Sequence, residues 1–270
     1  MRIVVIGGCG QVGAKLVGIL RHRGHDVVAA SRRSGVNSIT GEGLYRALAG
    51  ATCVVDVTNS PSFNDTTSLE FFRISSRNLL AAAQAARIRH FVALSVVGSD
   101  RLFDSGYFRA KLVQEDLIRA SPIPHTILRS TQFYEFISQI AQADKDGQAV
   151  RVSPALVQPV AADEVAAALA DITTTGPRNG MIEHAGPELF RLDAIVRCAM
   201  QALQDPRETV TDRRARYFGA ELSDDTLTPD EGAILGVTRF DEWLSHAITF
   251  SPGLRPQARR NCLNNILLNV

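Results

Sequence analysis

The sequence predicts an α/β fold built on a doubly wound parallel sheet. Two observations favour this fold. Short β-branched runs alternate with helical segments over roughly the first half of the 270 residues, and a glycine-rich turn joins the first strand to the first helix. Continuous apolar runs are typical of buried parallel strands, and their alternation with helices predicts right-handed crossovers on both faces of one sheet.

The first half of the chain contains about five strand–helix units. The predicted strands are the apolar runs Ile3–Ile6, Val27–Ser31, Cys53–Val57, His90–Ser95 and His125–Leu128. The predicted helices carry apolar residues at helical spacing and cover Gln11–Arg23, Leu44–Leu48, Leu69–Arg87 and a segment through Tyr107 and Leu117. This order is that of a doubly wound sheet.

The second half is less regular and predicts a small C-terminal α/β lobe. Its predicted elements are a helix opening at Phe133, a brief strand at Val157–Val160, a helix at Asp163–Ile172, a strand at Met181–His184, and helices at Leu192–Leu203 and Phe240–Ile248. We therefore divide the chain into a core at 1–132, a lobe at 133–250 that is partly interleaved with the core, and a loosely attached tail at 251–270 of unknown role.

Composition narrows the class of function. The chain has 29 Lys and Arg against 28 Asp and Glu, so charge does not indicate a nucleic acid or a membrane as a partner, and a small molecule is favoured. The four cysteines lack metal-ligand spacing and are interpreted as reduced thiols, so no metal is expected.

No export signal or long apolar run is present, which favours the cytoplasm. A monomer and a homodimer both stay open.

A glycine-rich loop follows the first predicted strand and opens the first helix. Gly7, Gly10 and Gly13 are spaced three apart there. Glycine permits the tight turn, and the N–H groups of a helix N-terminus attract a pyrophosphate. A plain strand-to-helix turn is the alternative, but the position favours dinucleotide binding. The residues expected to line the phosphates are Gly7, Gly8, Gly10, Gln11, Val12 and Gly13.

Basic residues follow the second predicted strand. NAD-selective sites place an Asp or Glu there for the ribose 2′-hydroxyl, whereas this chain has Ser31, Arg32 and Arg33. Guanidinium groups bind phosphate through charge-assisted hydrogen bonds. The sequence therefore favours NADP(H) over NAD(H), with a solvated basic loop as the alternative.

Tyr107 and Lys111 lie four residues apart on one predicted helix. Residues at this spacing share a helix face, so we expect Lys111 to lower the pKa of Tyr107 and to leave Tyr107 as a proton donor to a carbonyl. Ser95, at the end of the preceding strand, is expected to hydrogen-bond the same carbonyl. A half-buried Tyr beside a surface Lys is the alternative, and the glycine loop favours the catalytic interpretation.

These residues resemble a known group, the atypical short-chain dehydrogenase/reductases, and specifically the NmrA-like branch of NAD(P)-binding Rossmann-type proteins. The resemblance extends from Arg2 to about Trp243. It is carried by the glycine loop, by Tyr107 with Lys111, and by three further segments. These are Asp56-Val57-Thr58-Asn59-Ser60, Ala93-Leu94-Ser95-Val96-Val97-Gly98 and Ile127-Leu128-Arg129-Ser130-Thr131-Gln132-Phe133.

The resemblance implies roles for individual residues. Asp56, Val57 and Thr58 would line the adenosine side of the cofactor, Leu94 and Ser95 would pass beneath the nicotinamide ribose, and Lys111 would bind that ribose. Thr131 lies in the segment Ser130–Phe133 that would border the nicotinamide. Phe133 and Tyr134 are candidates for a substrate wall, and a role as core aromatics of the lobe is equally open.

The favoured hypothesis is an NADPH-dependent oxidoreductase that reduces a carbonyl, quinone or similar small acceptor. The first alternative is a non-catalytic NAD(P)-binding redox sensor of the NmrA type, since members of this branch are not all enzymes. The second is isomerase or epimerase chemistry on a nucleotide-linked sugar, which uses similar residues but needs a larger substrate domain.

Overall fold

The computed structural model describes residues 1–143, 149–202 and 204–250, and the chain divides into two compact units. The first unit contains Met1–Ser130 and Ala162–Glu183, and the second contains Thr131–Ala161 and the chain from His184 onward. The first unit is thus discontinuous in sequence, because 131–161 leaves it and 162–183 returns to it. The tail predicted at 251–270 lies outside the described residues.

Strands and helices alternate along most of the chain. In chain order they are β1 Arg2–Ile6, α1 Gln11–His22, β2 Asp26–Ala30, α2 Leu44–Leu48, β3 Cys53–Asp56, α3 Asp65–Ala85, β4 His90–Val96, α4 Gly106–Ala120, β5 His125–Ser130, α5 Tyr134–Ala143, β6 Ala149–Val152, β7 Leu156–Val157, α6 Ala162–Thr175, β8 Gly180–Ala185, β9 Phe190–Arg191, α7 Leu192–Ala202, β10 Glu208–Thr211, β11 Ile234–Leu235 and α8 Phe240–Phe250. Within the part of the chain that the structure describes, none of these helices combines the length and the apolar composition that a membrane span needs.

The main sheet has seven strands in the order β11-β8-β5-β4-β3-β1-β2. From β2 to β5 all the pairings are parallel, with Val4 of β1 opposite Val28 of β2 and Val54 of β3. The chain moves from β1 outward to β2 and then returns to the other side of β1 at β3, which is a topological switch point, where such sheets bind ligands. The predicted Rossmann-type α/β fold is confirmed.

The core of the first unit lies where apolar side chains of neighbouring strands meet helices. Val4, Val54, Phe91 and Ile127 belong to one buried cluster, although they come from four different strands. Leu79 of α3 is 1% exposed and belongs to the same cluster. Because each such side chain contributes about 1.5–3 kcal/mol on full burial, this cluster accounts for much of the stability of the first unit.

We predict that Leu79→Ala lowers the free energy of unfolding by about 2–5 kcal/mol, since truncation of a buried Leu leaves a cavity. The matched control is Leu69→Ala on the same helix, where the side chain is 41% exposed, and where we expect a change of about 0.5 kcal/mol or less. Urea unfolding followed by circular dichroism measures both variants. Equal shifts in the two midpoints would show that the burial assigned to Leu79 is wrong.

An aromatic cluster forms part of the core of the second unit. The ring of Tyr134 lies 5.3 Å from that of Phe240 and 5.4 Å from that of Trp243, and Phe190 lies 5.7 Å from Phe240. The side chain of Glu188 accepts a hydrogen bond from the backbone N–H of Phe240 at the start of α8 (2.8 Å). These contacts join the first turn of α5 to α8, and they include the lone tryptophan of the chain.

The structure contains short strands that the sequence did not predict. These are β6, β9, β10 and β11, each of two to four residues. Their pairings join distant parts of the chain, as in β6 with β10 and β8 with β11. A strand this short carries too few residues for an alternating pattern to emerge, so its existence depends on the partner strand.

The cysteines differ from the expectation of four reduced thiols. Cys9 and Cys53 are free thiols, and burial raises the pKa of Cys53 to about 12. Cys198 is disulfide-bonded. The expectation of a reduced thiol was therefore wrong for Cys198, because the spacing of cysteines along the chain does not report their redox state.

Candidate functional site

The glycine loop is a tight turn at the carboxyl end of β1. The N–H groups of Gly7 and Gly8 both donate to the carbonyl of Ala30 at the end of β2, at 2.9 and 3.2 Å. Gly7 has a φ of +83°, a backbone conformation that favours glycine. The N–H of Gly10 then donates back to the carbonyl of Gly7 (2.9 Å), which closes the turn before α1 begins.

The loop leaves no room for side chains at two further glycines. A Cβ atom at Gly13 would lie 2.1 Å from the carbonyl oxygen of Gly7, and one at Gly8 would lie 2.8 Å from the Cα atom of Ala29. Both contacts are with backbone, which has little freedom to move. The first turn of α1 can therefore pack directly on the loop only because residue 13 is glycine, and the loop can lie against β2 only because residue 8 is glycine.

The N-terminus of α1 supplies the donors that a phosphate needs. The first hydrogen bond of the helix joins the N–H of Ala14 to the carbonyl of Gly10 (2.9 Å). The N–H groups of Gln11, Val12 and Gly13 precede this bond and lie at the positive end of the helix dipole. The loop thus has the features of a cradle for a pyrophosphate, and it fits a dinucleotide.

Ser31, Arg32 and Arg33 lie directly beyond β2, beside the loop. The hydroxyl of Ser31 donates to the thiol of Cys9 within the loop (3.2 Å). Ser31 and Ser34 also form a reciprocal capping box around the 3₁₀ turn Arg32–Ser34. Both arginine side chains are exposed. The turn therefore holds two guanidinium groups next to the loop without committing them to a buried ion pair.

Asp56 and Thr58 lie at the end of β3, on the other side of β1. The Asp56 carboxylate accepts hydrogen bonds from the N–H (3.0 Å) and the hydroxyl (2.7 Å) of Thr58, and from the side-chain amide of Gln114 (2.9 Å). Burial raises the pKa of Asp56, against the opposing effect of these bonds and of the Lys111 charge. The carbonyl oxygen of Val57 would lie 3.0 Å from a Cβ atom at Gly7, so this segment borders the loop.

Tyr107 lies in the first turn of α4 and is almost fully buried. Its hydroxyl donates to the side-chain oxygen of Asn59 (2.9 Å), and its ring lies 5.0 Å from that of Phe63 and 6.0 Å from that of Phe72. Burial raises the pKa of Tyr107. The expectation that Lys111 lowers this pKa is therefore wrong, because burial disfavours the phenolate and the Lys111 ammonium is held by other groups.

Lys111 is also buried, at 3% exposure, one turn beyond Tyr107. Its ammonium donates to the carbonyl of Leu94 in β4 (2.9 Å) and to the side-chain oxygen of Gln114, and it lies 4.5 Å from the centre of the Phe72 ring. Burial lowers the pKa of Lys111 to about 8, although Asp56 and Glu115 favour its charged form. The ammonium is thus fixed at the carboxyl half of β4.

Ser95 contacts a buried ion pair. Its hydroxyl donates to the carboxylate of Glu115 (2.6 Å), which also accepts two hydrogen bonds from the guanidinium of Arg129 (2.9 and 2.8 Å). Arg129 makes a further bond to Asp100 (2.7 Å). The hydroxyl hydrogen of Ser95 is therefore directed at Glu115, and its role in polarising an acceptor stays a prediction.

The residues after β5 belong to the second unit. The N–H of Thr131 donates to the carbonyl of His184 (2.9 Å). Phe133 is partly exposed, whereas Tyr134 is 1% exposed and donates its hydroxyl hydrogen to the carbonyl of Thr238 (3.2 Å). Gln132 is buried, and among the described residues its side-chain amide has no hydrogen-bond partner at either atom.

Gln114 and Glu115 of α4 were missed by sequence reasoning, and they contact the predicted residues Asp56, Lys111 and Ser95. Asn59 and Arg129 lie in segments that carried the family resemblance but were assigned no role; Asn59 contacts Tyr107, and Arg129 contacts Glu115. One signal was available. Gln114 and Glu115 lie three and four residues after Lys111, so they occupy the same face of α4 as the predicted catalytic residues.

The fold and the glycine loop define a Rossmann-type α/β protein of the dinucleotide-binding class. The sequence profile of the NAD(P)H-binding family matches residues 7–175, more than half of the chain, and the protein belongs to this family. This match confirms the assignment to the NmrA-like, atypical short-chain dehydrogenase/reductase group.

Two curated relatives carry the same name. The chain is 26% identical over 168 residues to the photosystem II assembly factor Ycf39 of Cyanophora paradoxa, covering 57% of this chain and 52% of the relative. It is 27% identical over 149 residues to that of Trieres chinensis, covering 50% and 47%. The chain thus spans about half the length of the curated relatives it matches.

Solved structures share the fold over almost the whole chain. The NADPH-dependent quinone oxidoreductase QOR2 of Escherichia coli has a TM-score of 0.61 at 18% identity, covering 91% of this chain and 99% of that chain. MoeE5 in complex with UDP-glucose and NAD has a TM-score of 0.65 at 19% identity, covering 98% and 97%. A short-chain dehydrogenase/reductase superfamily protein of Agrobacterium tumefaciens with bound NAD has a TM-score of 0.66 at 19% identity, covering 97% and 98%.

We predict that Gly13→Ala weakens NADPH binding, because the added methyl group would collide with the Gly7 carbonyl. Displacing packed backbone costs about 1–3 kcal/mol, which is about five- to 150-fold in Kd. The control is Gly18→Ala on the same helix, where a Cβ atom meets nothing within 4 Å. Isothermal titration calorimetry compares the two. Normal affinity in Gly13→Ala would exclude the loop as the phosphate cradle.

Proposed function

We propose that the protein is an NADPH-dependent oxidoreductase that reduces a carbonyl, quinone or similar small acceptor, with a hydride from the nicotinamide and a proton from Tyr107. The observation that carries this proposal is that Tyr107 and Lys111 lie one turn apart on α4 and are both buried, with the Lys111 ammonium at the Leu94 carbonyl of β4 and the Tyr107 hydroxyl at Asn59, beyond β3. Membership of the NAD(P)H-binding family supports it.

Tyr107 is in the correct protonation state for a general acid. The phenol carries a proton at neutral pH, as an ordinary tyrosine does, and this is the proton that it is proposed to donate. As the acceptor carbon gains the hydride, its oxygen gains negative charge and takes the phenolic proton. Lys111, whose ammonium is held at the Leu94 carbonyl, lies one helical turn away and is proposed to bind the nicotinamide ribose.

We propose that Phe133 contacts the acceptor, since its ring is partly exposed. Tyr134 is the weaker candidate, because Phe240 and Trp243 enclose its ring. We place the enzyme in the cytoplasm, in keeping with the composition of the sequence. Thr131 and Leu94 are proposed to border the nicotinamide half of the cofactor, as the resemblance to the family implies.

We predict that Tyr107→Phe lowers the rate of NADPH oxidation by about 10²–10⁴-fold, since that is the usual contribution of a general acid. The fold should be kept, because only one hydroxyl is removed. Tyr45→Phe, at a side chain that is 61% exposed, is the matched control and should keep the wild-type rate. A panel of quinones and aldehydes is assayed at 340 nm. An unaltered rate in Tyr107→Phe would disprove its role as acid.

We propose NADP(H) as the preferred cofactor because Arg32 and Arg33 follow β2. We predict that Arg32→Ala weakens NADPH binding by about tenfold or more, since a hydrogen bond to a charged group contributes about 1.5–3 kcal/mol. Affinity for NADH, which lacks the 2′-phosphate, should not change. Arg77→Ala, at an exposed position of α3, is the control. Calorimetric titration of each variant with NADPH and with NADH measures the two affinities. If Arg32→Ala loses the same affinity for both cofactors, Arg32 does not bind the 2′-phosphate.

The alternative is a regulator that binds NAD(P)(H) without turning it over. A specific observation favours it: the hydroxyl hydrogens of Tyr107 and Ser95 are both directed at protein oxygens, those of Asn59 and Glu115. The curated relatives are also named for an assembly role. This function would replace the first if the protein binds the oxidised and reduced cofactors with different affinities and oxidises no NADPH in the assay with quinones and aldehydes.

A further inference from the structure

Gln114 lies three residues after Lys111 on α4 and is 1% exposed. Both ends of its side-chain amide are occupied. The amide nitrogen donates to the carboxylate of Asp56 (2.9 Å), and the amide oxygen accepts a hydrogen bond from the Lys111 ammonium. Gln114 therefore bridges an anionic and a cationic side chain that come from different elements.

The amide matches this task chemically. A carboxylate only accepts hydrogen bonds and an ammonium only donates them, so a bridge between the two needs a donor at one end and an acceptor at the other. Glutamine has both, whereas Glu would offer acceptors alone and Met neither. A buried charge that lost its partner would also be costly. The residue type is thus matched to its two neighbours.

We propose that Gln114 and Asp56 are positioning residues that hold the Lys111 ammonium at the carboxyl half of β4, where it meets the cofactor. This inference rests on the proposed function, because it takes Lys111 as the ribose-binding residue. The chain of contacts runs from Thr58 to Asp56, from Asp56 to Gln114, from Gln114 to Lys111, and from Lys111 to the Leu94 carbonyl. It connects the ends of β3 and β4 through α4.

The surroundings of Lys111 explain why it needs this support. The charged and titratable groups near its ammonium are Asp56 at the end of β3, Glu115 on α4 and Tyr107 one turn earlier. The ring of Phe72 on α3 covers the group from another side. Burial outweighs the favourable charges and lowers the pKa of Lys111 to about 8, so the ammonium is lost as pH rises through that value. Removal of the Asp56 charge would lower this pKa further.

The test measures the Lys111 pKa directly. Heteronuclear NMR follows its side-chain nitrogen against pH in wild type, Gln114→Met and Asp56→Asn, with the signal assigned by Lys111→Arg. We expect the pKa to fall by about one unit in both variants. Gln84→Met, at an exposed position of α3, is the matched control and should titrate as wild type. Gln114→Glu adds a negative charge beside the ammonium and should raise the pKa, a reversal of sign that a loss of packing would not produce.

Cofactor binding supplies the second readout. Calorimetry across the same pH range compares NADPH with 2′-phospho-ADP-ribose, which lacks the nicotinamide. We expect Gln114→Met to weaken NADPH binding about tenfold near neutral pH, to move its pH midpoint downward, and to leave 2′-phospho-ADP-ribose unaffected.

The outcomes separate the inference from the proposed function. If folded Gln114→Met has the wild-type Lys111 pKa and the wild-type pH midpoint of NADPH binding, the positioning role is overturned. If Gln114→Met does not fold, the same result in Asp56→Asn and Gln114→Glu overturns it. Equal weakening of both ligands would also overturn it, because it would indicate a general structural effect. If Lys111→Met leaves NADPH binding intact, the ribose-binding role of Lys111 fails, while the NMR shifts still test its link to Gln114.

Discussion

The approach of α1 to the carbonyl of Gly7 is the constraint on which the site depends. With no atom beyond Cα at Gly13, the first turn of the helix lies against the end of β1, and its free N–H groups come within reach of whatever enters the loop. Ala30 fixes the same loop from the side of β2, and Val57 borders it from the side of β3. The ends of three strands therefore lie next to one turn, and both halves of a dinucleotide can extend from that turn.

Around α4, polar groups are linked in three separate arrangements rather than in one triad. Tyr107 is bonded to Asn59, and Lys111 to Gln114 and Leu94. Ser95 belongs to the Glu115–Arg129 pair, which connects β4, α4 and β5. Since a buried pair is strongly destabilised when one partner is removed, this part of the site is held rigidly before any ligand arrives. Rigid groups lose little entropy on binding.

The local sequence pattern was sufficient to predict the first half of the fold. Each element there has either a strong hydrophobic period or a residue type that its backbone requires, as in the strand Ile3–Ile6, the glycine loop and the helix after it. Leu44–Leu48 was predicted at its observed bounds. The contact between Gln114 and Asp56 could not be predicted, since the two residues are 58 apart in sequence and meet only through the packing of α4 on the sheet. The pKa of Tyr107 was predicted in the wrong direction for the same reason, because burial is a property of the folded chain.

The hydrogen bond between Tyr107 and Asn59 has a consequence for the choice of acceptor. An amide oxygen is a strong neutral hydrogen-bond acceptor, so an incoming molecule must compete with Asn59 for the phenolic hydrogen. Neutral ketone and quinone oxygens are weaker acceptors than an amide oxygen, whereas an oxygen that gains negative charge on hydride transfer competes well. In the proposed enzyme, Asn59 would therefore act as an internal competitor that favours acceptors whose oxygen becomes anionic on reduction, and discrimination among substrates would depend on that charge as well as on contacts with their carbon skeleton.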